Sequence, residues 1–370
     1  MAPKRPESAG AFPKPVESPA LSLPDQRPLY AALDLGTNSC RMLIAQPMGS
    51  QFKVMDSFSK SVQLGAGLEG SGQLSRAAIY RTIQALWVCK QKLRRHGVER
   101  MRLVATEACR RASNGAAFMK RVERETGLRL DIIAPQEEAQ LAVVSCAPLV
   151  NPKTDQLLVV DIGGGSTELV WIDLTAVPHH ARRRAIMRMH LGFHTCEEGL
   201  PAAKVVDWIS VPLGVATLRD QFCDVGDDTA RFALMSWFFE ENLAEFAPYK
   251  DEQKREGFQI VGTSGTVTTV AASHLGLRRY DRNKVDGLTM TSDEIDRVIR
   301  SYLALGPAGR RRDPRIGEDR HALIMSGAAI LQALLRCWPT DRLSVADRGL
   351  REGMLYAQMA ADGVLTDGEA

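Results

Sequence analysis

No two of the seven cysteines in this 370-residue chain are paired by spacing. Cys40, Cys89, Cys109, Cys146, Cys196, Cys223 and Cys337 contain no C-x-x-C, and their number is odd. A disulfide framework or a cysteine zinc site is disfavoured, and the usage fits a reducing, cytoplasmic setting. A long hydrophobic run is missing too. The longest, about Leu141 to Val150, falls short of the roughly 20 helical residues that span a bilayer, so no membrane partner is expected. Residues 1–28 are rich in Pro, Ser, Ala and charge, have no apolar stretch of signal-peptide length, and read as a disordered tail. The net charge of +3 leaves no bulk excess that would demand nucleic acid. There is no G-x-x-x-x-G-K-[ST], no nucleophile elbow and no H-E-x-x-H. His179-His180 lack Cys or carboxylate partners at ligand spacing, so no metal site is assigned there.

What is present suits a soluble two-domain chain, at 45% hydrophobic and 25% charged residues. Its centre is Leu157-Leu-Val-Val-Asp161-Ile-Gly163-Gly164-Gly165-Ser166-Thr167-Glu168-Leu-Val-Trp171-Ile172. An apolar run enters an Asp, a glycine turn follows, and a second apolar run leaves, which reads as strand, tight turn, strand. Without Cβ atoms the turn can close its N–H groups on an anion. Asp161, at the end of a buried strand, can hold a hydrated divalent cation. Leu29 to Ile44 has the same grammar, with Asp34 before Gly36, Thr37, Asn38 and Ser39. Two such units predict two similar halves with phosphates between their turns. A third turn, Gly262-Thr263-Ser264-Gly265-Thr266, runs a strand into small hydroxylated residues at a helix start, another place that suits an anion.

Gly65-Ala-Gly67-Leu-Glu-Gly70 matches G-x-G-x-x-G, but no acidic residue stands between Ser71 and Val98, so it reads as a loop and not as a dinucleotide site. Ser75 caps a helix through about Arg95, with Ile79, Ile83, Leu86 and Leu93 on one face and Gly97 at its end. Leu128 to Ala134 reads as a strand broken by Pro135. Gln136-Glu137-Glu138 then opens an apolar helix, and carboxylates in a first turn complement its dipole. Adjacent helical residues point about 100° apart, so only one of the two glutamates can face a cleft. Further on, helices are expected over Thr229 to Tyr249, with Phe232, Trp237, Phe238 and Phe246 packing, over Thr266 to Leu275, and over Ser292 to about Leu305. Gly309-Arg-Arg-Arg312 reads as a basic loop. Leu323 to Leu335 is a helix, and Arg342 to Ala346 is a last strand before a closing helix that runs to about Ala361.

Together Asp34 to Ser39, Thr106-Glu-Ala-Cys-Arg110-Arg-Ala112, Gln136 to Ala139, Asp161 to Leu169, Ser264-Gly265-Thr266 and Asp347-Arg348-Gly349-Leu-Arg351-Glu352-Gly353 resemble the turns of the actin, sugar kinase and Hsp70 superfamily. In detail they are similar to its exopolyphosphatase and guanosine pentaphosphate phosphohydrolase branch, over about residues 29 to 358. The resemblance implies an α/β fold of two actin-like (ribonuclease H-like) domains. Each is a mixed sheet flanked by helices, and the active-site cleft lies between them. Residues 29–149 would form domain I, and 150–361, with the closing helix, domain II. Residues 362–370 would be a loose tail. Longer relatives continue into a helical metal-dependent domain that this sequence does not include.

By the resemblance, Glu138 is the catalytic base, Glu168 shares its work, Glu137 keeps the capping role and Arg110 meets substrate phosphates, a task suited to its bidentate guanidinium. Gly36, Thr37, Asn38, Ser39, Gly163, Gly164, Gly165, Ser166, Ser264 and Gly265 would hold phosphate. Asp161, with Asp34, would place Mg²⁺ or another divalent cation. The implied partner is inorganic polyphosphate or a guanosine polyphosphate, and a homodimer would be unsurprising. The reaction expected is stepwise release of terminal orthophosphate from polyphosphate by water activated by a glutamate. The alternatives are a guanosine pentaphosphate 5′-phosphohydrolase, a non-catalytic guanosine tetraphosphate sensor, or an actin-like ATPase. The chain departs from the family twice. Relatives carry Arg-Ala-Asp where it has Arg320-His321-Ala322, and residues at about 174–206, with Arg182-Arg183-Arg184 and Arg188, look inserted. The insertion reads either as a path for a polyanionic chain or as a solvated or oligomer-contacting loop.

Overall fold

The computed structural model describes residues 28–191, 203–244, 246, 257–317 and 320–365. The first sheet grows from the first hairpin. Strand β1 (Tyr30–Leu35) turns back as β2 (Ser39–Met48), and β3 (Gln51–Ser61) adds outside it. β4 (Arg100–Ala105) joins β1 in parallel, followed by β5 (Asp131–Ile132), giving the order β3-β2-β1-β4-β5. The second sheet grows in the same way from β6 (Gln156–Ile162) and β7 (Thr167–Asp173). β8 (Lys204–Val211), β9 (Phe258–Thr263), β10 (Thr289–Met290) and β11 (Leu343–Ala346) complete it. Read outward from the hairpin, β8-β7-β6-β9-β11 repeats the order and strand senses of the first sheet, and β10 is an added edge. Two like halves are what the repeated hairpin predicts.

Helices sort by what they cover. The Arg76–Arg95 helix starts where Ser75 accepts from the Ala78 N–H at 3.2 Å, and with the Gly115–Thr126 helix it packs on one face of the first sheet. Helices Asp228–Glu241, Gly265–His274, Ser292–Arg312 and Ile324–Cys337 cover the outer face of the second. Two more, Pro135–Cys146 and Leu350–Ala361, lie between the sheets. Leu141, Leu350 and Met354 pack with Tyr30, Ala32 and Leu43 of the first sheet. Val143, Val144 and Tyr356 pack with Val159, Val170 and Val261 of the second. A helix buried on both sides loses its polar face, which is why the run after Glu138 is mostly apolar, with Gln140 and Ser145 its polar residues. The closing helix, assigned from sequence to the second half, therefore belongs as much to the first sheet.

Several local expectations need correction. The strand expected over Leu128 to Ala134 shrinks to two residues, because only Val104 and Ala105 offer it a partner edge. The helix expected to reach Tyr249 ends at Glu241, residue 249 lies outside the described residues, and Trp237 is 57% exposed, so it does not serve the core. Gly309 to Arg312 is helical: Gly306 kinks the helix at φ 61°, Pro307 restarts it, and buried Arg310 donates to Asp228 at 2.6 and 2.8 Å. Glu137 caps nothing with its side chain and instead accepts from Arg102 at 2.8 Å. In the insertion, Arg182 is 2% exposed and ties down Asp155, Pro152 and Val177, a fastening role and not a polyanion path. Residues 192–202 of that segment lie outside the described residues. No helix among the described residues is long and apolar enough to cross a membrane.

The two interposed helices touch at Gly353, where an added Cβ would stand 2.0 Å from the Leu141 carbonyl oxygen. Backbone cannot yield as a side chain can, and overpacking costs about 1–3 kcal/mol. Gly353→Ala is expected to lose at least about 2 kcal/mol in urea unfolding, whereas Gly70→Ala, which meets nothing within 4 Å, stays near wild type. Equal stability of the two variants would overturn this packing argument.

Candidate active site

The two glycine turns meet at the floor of one cleft. A Cβ on Gly164 would stand 3.2 Å from both the Asn38 nitrogen and the Thr37 Cβ. One on Gly165 would stand 2.5 Å from Thr37 Oγ1 and 2.9 Å from Glu107 Cγ. These glycines are therefore needed for close approach between the halves as well as for turn geometry. Each turn closes on itself, by Gly36 N–H to the Ser39 carbonyl at 3.0 Å and by Gly163 N–H to the Ser166 carbonyl at 2.9 Å. The Gly163 and Gly164 carbonyls accept from Val215 and Ala216 at 3.0 and 2.8 Å. In a planar trans peptide the following N–H points the opposite way, so the Gly164 and Gly165 amides turn from that helix towards the cleft they line.

The third turn completes the wall. Ser264 holds φ 118°, rare for a residue with a side chain, and its Oγ accepts from the Thr266 N–H at 3.2 Å as the Gly265–His274 helix begins. Thr37 Oγ1 is buried close to Gly165 and has no hydrogen-bond partner within the protein, an unsatisfied donor and acceptor on a residue that lines the cleft.

Of the residues assigned from sequence, Asp34, Gly36 to Ser39, Glu138, Asp161, Gly163 to Ser166, Ser264 and Gly265 all line this cleft. Two do not. Glu168 sits one layer back, accepting from Ser210 Oγ at 2.8 Å. Arg110 is not among the lining residues; it donates to Glu107, Glu138 and the Ile133 carbonyl. Ala322 is exposed and outside the lining.

Sequence reading missed Arg41, Arg320 and Arg351, which line the cleft. Arg41 was legible in principle: hairpin register sets it opposite Asp34, as Glu168 is set opposite Asp161, so each pair shares a sheet face. Arg320 and Arg351 come from segments far apart in the chain. Arg320 donates to Thr269 Oγ1 at 2.6 Å and to the Gly265 carbonyl at 3.2 Å. Arg41 and Arg320 both come within 4 Å of where a Gly265 Cβ would sit.

Electrostatics follow from burial. Asp161 is pushed up to about 6 by burial and then by the charge of Asp34. Glu168 is pushed up to about 7 by burial, then by Asp161. Burial likewise raises Asp34 and Glu138; the Glu168 charge adds to the second, while Arg41 pulls the first back and Arg110 the second. Arg41 is lowered, by burial first and by Arg351 next. Asp34 and Asp161 are hard oxygen donors crowded together, which suits a divalent cation that completes its shell with water and phosphate oxygens. No group of three or more His, Cys, Asp or Glu that could hold a metal ion exists among the described residues.

A profile of the Ppx/GppA phosphatase family matches residues 43–361. The chain belongs to that family. A Ppx/GppA family member of Aquifex aeolicus superposes with a TM-score of 0.70 at 29% identity, covering 90% of this chain and 98% of that one. An exopolyphosphatase from Cytophaga hutchinsonii, at 21% identity and a TM-score of 0.74, shares the fold, with 91% of this chain and 100% of that one covered. The guanosine-5′-triphosphate,3′-diphosphate pyrophosphatase of Aeromonas hydrophila subsp. hydrophila is 26% identical over 89% of this chain. The chain spans 59% of that relative's length. The two sheets with their shared cleft are thus the actin-like pair of domains found in Ppx/GppA proteins.

Because Asp161 and Glu168 sit above their unfolded values, the folded chain keeps protons that the unfolded chain has released. Their contribution to stability is full below about pH 4 and is lost as pH rises through about 6 and about 7. Without divalent cations, Glu168→Gln is expected to be more stable than wild type at pH 8, on the order of 2 kcal/mol, with the gap closing towards pH 5. A gap of constant size across that range, measured by thermal unfolding, would overturn the burial argument.

Proposed function

We propose that this phosphatase-family chain is an exopolyphosphatase, releasing terminal orthophosphate from inorganic polyphosphate. The observation that carries the reading is that Arg41, Arg320 and Arg351 line the same cleft as the two glycine turns, a set of cations suited to several linked phosphates at once. Phosphoryl transfer needs positioning and charge neutralisation more than covalent help. The terminal phosphate would lie on the Gly164 and Gly165 amides, with Thr37, Asn38, Ser39 and Ser166 adding donors and the start of the Gly265–His274 helix closing the third side. Asp34 and Asp161 would hold Mg²⁺, which neutralises charge on the phosphate oxygens when bound. Glu138 orients the attacking water and takes its proton. A carboxylate raised by burial is a stronger base than an exposed one, which suits work near neutral pH. Glu168 acts from behind, through its charge on Glu138.

A second reading, guanosine pentaphosphate losing its 5′-terminal phosphate, is favoured by the name of the Aeromonas relative. It is also favoured by Tyr280, 43% exposed, with the Arg320 guanidinium 6.0 Å from its ring centroid, an aromatic face beside the cleft.

Phosphate release from each substrate with Mg²⁺ separates the two readings. Wild type is expected to favour long-chain polyphosphate in kcat/KM, and Glu138→Ala to lower kcat by about 10²–10⁴ while still binding it. A preference for guanosine pentaphosphate selects the second reading, and near wild-type turnover by Glu138→Ala removes that residue from the base role.

A further inference from the structure

Arg110 is bonded to the protein's own acids. Its side chain is 14% exposed and absent from the cleft lining. Nε and Nη2 donate to Glu107 Oε2 at 3.1 and 2.8 Å, and Nη1 donates at 2.8 Å both to Glu138 Oε2 and to the Ile133 carbonyl. A guanidinium has five N–H donors in a fixed plane, and these bonds use all three of its nitrogens. Glu107 cannot easily release it. The Glu107 stem is wedged under Gly165, and its other oxygen faces Arg111 at 3.8 Å, itself paired with Glu69 at 2.6 Å. The result is an alternating row, Glu69, Arg111, Glu107, Arg110, Glu138, running from the surface to the cleft.

We propose that Arg110 is a positioning residue that fixes the Glu138 carboxylate towards the cleft. This rests on Glu138 being the base. By gripping the Ile133 carbonyl and the Glu138 carboxylate together, Arg110 sets the entry of the Pro135–Cys146 helix and the aim of its first-turn acid. The charged groups around Glu138 come from four elements. Arg110 and Glu107 lie on the Glu107–Arg111 helix, Glu168 on β7 and Asp34 on β1, while Glu137 on its own helix is turned to Arg102. Of these, Arg110 is the cation bonded to Glu138, and the acids Glu168 and Asp34 oppose its ionisation. Removing a bonded partner from a buried carboxylate leaves an uncompensated charge, so the acid takes up a proton instead.

The test compares wild type, Arg110→Lys and Arg110→Met. The ¹³C carboxyl signal of Glu138, assigned with Glu138→Gln, is followed against pH, and kcat and KM for polyphosphate are measured over the same range. The positioning role predicts that Arg110→Met moves the Glu138 midpoint up by about one pH unit or more. The acid limb of kcat moves with it, costing about tenfold below the wild-type midpoint, with activity regained at higher pH and KM within about twofold of wild type. Arg110→Lys is expected to fall between and decides the matter if the Met variant does not fold. An unmoved midpoint would sink the proposal, and a pH-independent rise in KM of about tenfold or more with that midpoint unmoved would make Arg110 a phosphate ligand instead. If wild type releases phosphate from neither substrate, the reading of function fails instead, and the Glu138 titration still decides whether Arg110 governs that carboxylate.

Discussion

Everything in this molecule depends on two backbone turns touching without side chains between them. Gly165 brings the second hairpin against Thr37 of the first at a distance no Cβ would permit, and Gly164 meets Asn38 where a Cβ would be tight. Gly214 enforces the same closeness from behind, since a Cβ there would stand 2.5 Å from the Gly164 carbonyl carbon. The contact sets the width of the cleft, turns amide groups into it, and makes two similar half-molecules into one site. It also explains the two helices buried between the sheets: once the floor is closed, the space above it must be filled with apolar surface to keep the halves in register.

The second consequence is electrostatic. Closing the floor removes water from Asp34, Asp161, Glu138 and Glu168 together, and burial of like charges raises each of them. The chain answers with arginines of two kinds. Arg41, Arg320 and Arg351 face the cleft, where a polyanion can use them. Arg110 is outside that lining and is bonded to Glu107 and Glu138. The same residue type thus divides between lining the cleft and bracing the acids beside it.

Family membership and fold were legible because they rest on short local patterns. Apolar run, Asp, glycine turn and apolar run make a hairpin wherever they occur, and finding the pattern twice implied two halves. The helix from Ser75 was legible for the same reason, with its cap and its buried face both local. What failed was reading elements whose neighbours decide them. The strand after Leu128 ends where its partner edge ends. The helix from Ser292 passes through Gly306 and Pro307 because Arg310 finds Asp228 on another helix. The closing helix reads as part of the second half only along the chain, because its apolar faces meet both sheets.

The sequence alone determined where the turns are, which acids stand beside them and that the two halves are alike, since dihedral preference and strand alternation act over a few residues. Tertiary structure alone decided which charged side chains share the cleft. Arg41, Arg320 and Arg351 converge from three separate segments, and Arg110 turns away to Glu107 and Glu138. The reason is physical: a guanidinium goes to whichever carboxylate or carbonyl the packed backbone brings within about 3 Å, and that distance is set by the closed floor of the cleft, not by neighbours in the chain.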